Sequence, residues 1–134
     1  MSESIVVGYI PTPEGIAAFE RAKDEALFRG TRLVVVNTGH HGDFASPIFA
    51  TPEDIDAITA ELTRTGLSFD VVQPTGGLAA ADEILRVAET EDASLIVIGM
   101  RHRTPVGKLL LGSTSQQVLL DASCAVLAVK APAA

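Results

Sequence analysis

Five short apolar runs, separated by four stretches of helical periodicity, constrain this chain more than any other feature. The runs are Ile5-Val6-Val7-Gly8-Tyr9-Ile10, Leu33-Val34-Val35-Val36-Asn37, Phe69-Asp70-Val71-Val72, residues 94–99 around Leu95-Ile96-Val97-Ile98, and Ala125-Val126-Leu127-Ala128-Val129. Most are continuous rather than alternating, as expected of strands buried on both faces of a parallel sheet. Between them, Ile16, Phe19, Ala22 and Ala26 mark a first helix, opened by Thr12-Pro13-Glu14 and stopped by Gly30. Ile55, Ile58 and Leu62 mark a second, between Thr51-Pro52 and Gly66. Ala81, Ile84, Leu85 and Ala88 mark a third, and Val118, Leu119 and Ala122 a fourth, capped by Ser113 or Thr114. The order β-α-β-α-β-α-β-α-β predicts an α/β fold: a single open five-stranded parallel sheet with helices on both faces.

Composition agrees with one domain over 1–134, with a core from about 4 to 130 and a loose tail at 131–134. The chain has 134 residues, 47% of them apolar, enough for a core without a metal or disulfide staple. Cys124 is the single cysteine and has no internal partner, which fits a reducing, cytoplasmic setting. The start, Met1-Ser2-Glu3-Ser4-Ile5, lacks the basic and apolar regions of a secretory signal. No apolar run approaches the ~20 residues of a membrane span. A net charge of −7 argues against nucleic acid or an anionic membrane as partner. Aromatic residues at 4%, with no tryptophan, leave little to stack on single-stranded bases.

In open parallel sheets ligands bind beyond the carboxyl ends of the strands, where the strand order switches. The turns after Ile10, Asn37, Val72 and Gly99 are therefore the places to search. The last is the most informative. Between Gly99 and Ser113 lie Gly107 and Gly112, with Arg101, His102, Arg103 and Lys108 adding positive charge. No Asp or Glu occurs from Ala93 to Leu120, a local reversal of sign in an acidic protein. Gly112-Ser113-Thr114-Ser115 leads into a helix N-terminus, whose free amides favour an anion such as a phosphate chain. A solvated loop with Leu109-Leu110-Leu111 packed on the sheet fits the same residues.

Gly99, two residues, His102, nine residues, Gly112 and Ser113 reproduce the spacing of a known loop. Together with Ala93-Ser94-Leu95-Ile96-Val97-Ile98-Gly99 and the closing Cys124-Ala125-Val126-Leu127-Ala128-Val129-Lys130, they make the chain resemble the universal stress proteins of the UspA-like family. The resemblance runs from Ile5 to Lys130. It implies the adenine nucleotide alpha-hydrolase-like fold and a dimer formed through the last strand, Ala125 to Val129, an apolar edge that invites a partner strand. It also implies ATP, with or without magnesium, as a regulatory ligand, with at most weak hydrolysis. On that pattern the phosphates lie along Gly99, His102, Gly112, Ser113 and Thr114, with Arg103 adding charge-assisted bonds. Thr12 and Asn37, at the ends of the first two strands, would face ribose and adenine. The chain departs from the pattern twice: Ile10 stands where the family commonly has Asp, and His102 where it has Gly.

Other chemistry is weaker. His40-His41-Gly42-Asp43 offers metal-ligand types, but nothing in the sequence orders them on one ion. Cys124 reads as a buried structural thiol. Ser113 lacks a His-Asp partner and the Gly-x-Ser-x-Gly elbow. Gly8 reads as a packing position. A dinucleotide fingerprint after the first strand and a P-loop are both missing, and Ile10-Pro11 excludes the acids of a receiver domain. Two functional classes remain: a nucleotide-binding stress-response protein, or a dimeric interaction module whose nucleotide site has lapsed.

Overall fold

The computed structural model describes residues 3–38, 49–74, 76–100 and 112–131. Nine elements follow one another among them: β1 (Ser4–Gly8), α1 (Pro13–Arg29), β2 (Arg32–Val36), α2 (Pro52–Thr65), β3 (Phe69–Val72), α3 (Ala80–Thr90), β4 (Ala93–Met100), α4 (Ser113–Asp121) and β5 (Ala125–Lys130). The strands form one parallel sheet in the order β3-β2-β1-β4-β5. The predicted α/β architecture is the observed one. β1 stops at Gly8 rather than at Ile10, and the chain turns just beyond, where the Thr12 amide donates to the Ile10 carbonyl at 2.8 Å. Ala131, expected to begin a loose tail, is buried.

The helices sort onto two faces because crossovers between parallel strands are right-handed. The chain steps outward from β1 to β3 and then returns past β1 to β4, so α1 and α2 lie on one face and α3 and α4 on the other. Alternating strand residues serve the two cores. Ile5, Val7, Leu33, Val35, Leu95 and Val97 pack with Phe19, Ala22, Ile58 and Leu62. Val6, Val34, Val36, Ile96 and Ile98 pack with Ala81, Ile84, Ala88 and Val118.

Local chemistry explains the helix ends. Thr12 is extended and accepts the Gly15 amide, and Thr51 and Asp54 form a reciprocal capping box. Gly30 and Gly66 close α1 and α2 in the left-handed region, with φ of 69° and 78°. Two expected core positions fall outside. Ile16 is half exposed because the buried stripe of α1 runs through Gly15, Ala18, Phe19, Ala22 and Ala26, about 100° of rotation away. Leu119 likewise stands beside the buried Val118 and faces outward. Among the described residues, no helix is long and apolar enough to cross a membrane.

Candidate functional site

β1 and β4 are neighbours, yet the chain leaves β1 toward one face and β4 toward the other. The crevice between their carboxyl ends is the switch point, and a cavity of about 300 Å³ lies there. Ile10, Val36, Ile84 and Ile98 supply apolar walls, and Gly99, Gly112, Ser113 and Thr114 line the same space. Four of the expected phosphate residues therefore meet, although 13 positions separate Gly99 from Gly112.

The N-terminus of α4 differs from those of α1 and α2. Its cap residue is Gly112, extended at φ −63° and ψ 157°, and among the described residues no side-chain cap hydrogen bond is made. This corrects the expectation that Ser113 or Thr114 caps the helix. A cap needs extended backbone; that conformation falls on Gly112, leaving Ser113 and Thr114 as the first helical residues. Among the described residues the amides of the first turn have no capping side chain, and they stand at the positive end of the helix dipole. The Ser115 Oγ donates to the Gly99 carbonyl at 3.1 Å and ties this turn to the end of β4.

Gly99 itself is set by packing. A Cβ there would stand 2.4 Å from the Glu14 carbonyl oxygen, so α1 crosses the end of β4 at backbone contact. Gly15 is tighter still, with a Cβ position 1.9 Å from the Ile10 carbonyl oxygen. Gly8 packs and also lines the cavity: its Cβ position lies 2.8 Å from Ile84 Cδ1.

The other expected contacts are placed differently. Asn37 is fully buried and its amide is engaged inside the protein. Nδ2 donates to the Tyr9 carbonyl at 2.9 Å, and Oδ1 accepts from the Ala50 amide at 2.9 Å and from Gln73 Nε2 at 3.0 Å. It joins the ends of β1, β2 and β3 instead of facing the cavity; the next residue, Thr38, lines it. Thr12 Oγ1 accepts the Gly15 amide at 3.1 Å and is not among the lining residues. His102, Arg103, Arg101 and Lys108 lie outside the described residues, as do His40 and His41. Among the described residues, no three His, Cys, Asp or Glu side chains gather as metal ligands.

Sequence reasoning missed Glu14 and Thr38 as members of the site. Glu14 was legible only as an acid in a first helical turn. Tyr9 also lines the cavity; burial, reinforced by the charge of Asp54, raises its hydroxyl above the ordinary value, so it is a neutral wall. Cys124 is half-buried, and burial likewise pushes its thiol upward. That agrees with an inert structural cysteine rather than a nucleophile.

Comparison with known proteins bears on the same residues. The family model described as the universal stress protein family matches residues 1–130. A universal stress protein of Mycolicibacterium smegmatis is 44% identical over 126 residues, covering 94% of this chain and 96% of the relative. Among solved structures, a universal stress protein from Archaeoglobus fulgidus superposes with a TM-score of 0.81 at 28% identity, covering 97% of this chain and 100% of the other. A universal stress protein from the same organism in complex with dAMP superposes with a TM-score of 0.72 at 22% identity, covering 97% and 98%. With nearly the whole length matched by the family model and by a close relative, the chain belongs to the universal stress protein family.

Proposed function

We propose that the cavity at the β1/β4 switch point binds an adenine nucleotide as a regulatory ligand in a cytoplasmic stress-response protein. The observation that carries this reading is the α4 N-terminus, which opens on the cavity without a side-chain cap. The dAMP complex of a structural relative supports the choice of ligand class. In this reading Gly99, Gly112, Ser113 and Thr114 seat the phosphates. On sequence grounds, His102 and Arg103 add positive charge from the connecting loop. Whether ATP is preferred, and whether Mg²⁺ accompanies it, belongs to the same test.

The test is calorimetric titration of the dialysed protein with ATP and AMP, with and without Mg²⁺. Saturable binding in the micromolar range is the expected result. Gly112→Val is the matching variant. A Cβ at Gly112 meets none of the described residues within 4 Å and its φ suits any residue, so the substitution adds bulk at the α4 N-terminus without strain in the described fold. Unchanged affinity in Gly112→Val would overturn this placement of the phosphates.

A homodimer through β5 is part of the proposal. β5 is an edge strand of the sheet, and light scattering should give twice the 14.0 kDa of one chain. The alternative is an interaction module without nucleotide. It is favoured by the exposure of Leu119 and Leu120 on α4, next to that edge. Absence of heat at millimolar nucleotide, from folded and nucleotide-free protein, would select it.

A further inference from the structure

We infer that Gly8 and Ile84 together set the depth of the cavity, and with it the size of the base that the cavity accepts. Gly8 leaves a notch at the end of β1, and the Cδ1 methyl of Ile84, on α3, lies in that notch as an apolar floor. The inference rests on the nucleotide reading above.

Both residues line the cavity. Gly8 has no side chain and contributes backbone alone. A Cβ on it would stand 2.8 Å from Ile84 Cδ1, 3.7 Å from Ile84 Cγ1 and 3.8 Å from Ile98 Cγ2. The far end of the Ile84 side chain is therefore what occupies the space beside Gly8. Ile84 is 4% exposed and shares one core cluster with Val36 and Ile98, which line the same cavity. Close packing holds the stem of Ile84, while Cδ1 turns about a single torsion. The cavity is the open side toward which that methyl can move.

The side chains of Val36, Ile84 and Ile98 carry no hydrogen-bonding group. The α4 amides, which favour an anion, belong to another part of the lining. In an adenine nucleotide the portion suited to an aliphatic floor is the base, through its flat faces. Aliphatic pockets discriminate by shape, and one carbon too many or too few changes selectivity by about 10–200-fold. A contact that only packed α3 on β1 would affect stability and leave the size preference for ligands unaltered, so ligand size separates the two roles.

The experiment measures, by calorimetry, the affinities of AMP and of its N6-methyl, 2-methyl and 8-methyl derivatives. The proteins are the wild type, Gly8→Ala, Ile84→Val and the double variant, with thermal unfolding confirming that each is folded. Gly8→Ala turns Cδ1 into the cavity and should weaken AMP by at least about tenfold. Ile84→Val removes that same methyl and should improve at least one methylated derivative relative to AMP by about tenfold. In the double variant the new Cβ takes the space of the lost methyl, and most of the AMP affinity should return, a non-additivity expected only of groups in contact. Ile84→Val, the mildest change, decides by itself if Gly8→Ala does not fold. Unchanged AMP affinity in Gly8→Ala, no recovery in the double variant, or unaltered relative affinities in Ile84→Val overturns the assignment and leaves the nucleotide reading intact. Failure of the wild type to bind any of the four ligands overturns both.

Discussion

The carbonyl oxygen of Glu14 lies 2.4 Å from the position a Cβ on Gly99 would take. The first turn of α1 and the end of β4 are in backbone contact there, and a methyl group cannot enter without moving the helix. Gly99→Ala should therefore destabilise the fold by about 1–3 kcal/mol. The midpoint of urea denaturation reads this directly. An unchanged midpoint would show that α1 yields easily and that packing does not select the glycine.

Asn37 governs the site from beneath it. Its amide bonds Tyr9 just after β1, Ala50 before α2 and Gln73 after β3, all within the protein. Asn37→Ala strands the Tyr9 carbonyl and the Ala50 amide and should cost about 1–3 kcal/mol in unfolding free energy. If nucleotide affinity fell in this variant without loss of stability, direct contact with ligand would be the better account of Asn37.

Lys23 on α1 bonds Glu61 on α2 at 2.6 Å and Glu20 at 2.7 Å. Hydrogen bonds donated to Glu20 and Glu61 raise Lys23 above its ordinary 10.5, and the bond from Lys23 lowers Glu61 below its ordinary 4.5. The Glu61 contribution is complete above pH 4.5 and is lost as pH falls through the depressed native value. The Lys23 contribution is complete below pH 10.5 and is lost as pH rises through the elevated native value. Glu61→Gln should flatten the acid side of the stability profile by no more than about 1 kcal/mol, since the pair is partly exposed. Equal acid profiles for variant and wild type would show that the pair contributes nothing.

Burial raises the Cys124 thiol above its ordinary 9.0, so little of it is thiolate near neutral pH. Alkylation by iodoacetamide at pH 7.5 should be slower in the native protein than in the same protein in urea. A native rate equal to or above the denatured one would mark an activated cysteine and contradict the structural role.

The element order, the sheet type and the caps at Thr12, Thr51, Gly30 and Gly66 were legible in the sequence because their causes are local. Apolar runs, proline at a first helical position and a glycine in the left-handed region act over a few residues. The spacing of Gly99, Gly112 and Ser113 likewise identified one wall of the cavity and the family to which the chain belongs.

What the tertiary structure decided are relationships across the sheet. Ile16 and Leu119 carry the right chemistry for a core but lie off the buried stripe, and rotation about a helix axis is set by what packs against it. Asn37 carries the right chemistry for a ligand, yet residues after β1 and β3 and before α2 converge on its amide. Glu14 reads as an ordinary first-turn acid until Gly99 is seen to admit α1 at backbone contact, which brings Glu14 to the lining of the cavity. Sequence patterns report which residues seek burial or a cap. Which atoms meet depends on how crossover-connected strands are ordered and how closely the helices approach them, and these are properties of the packed chain as a whole.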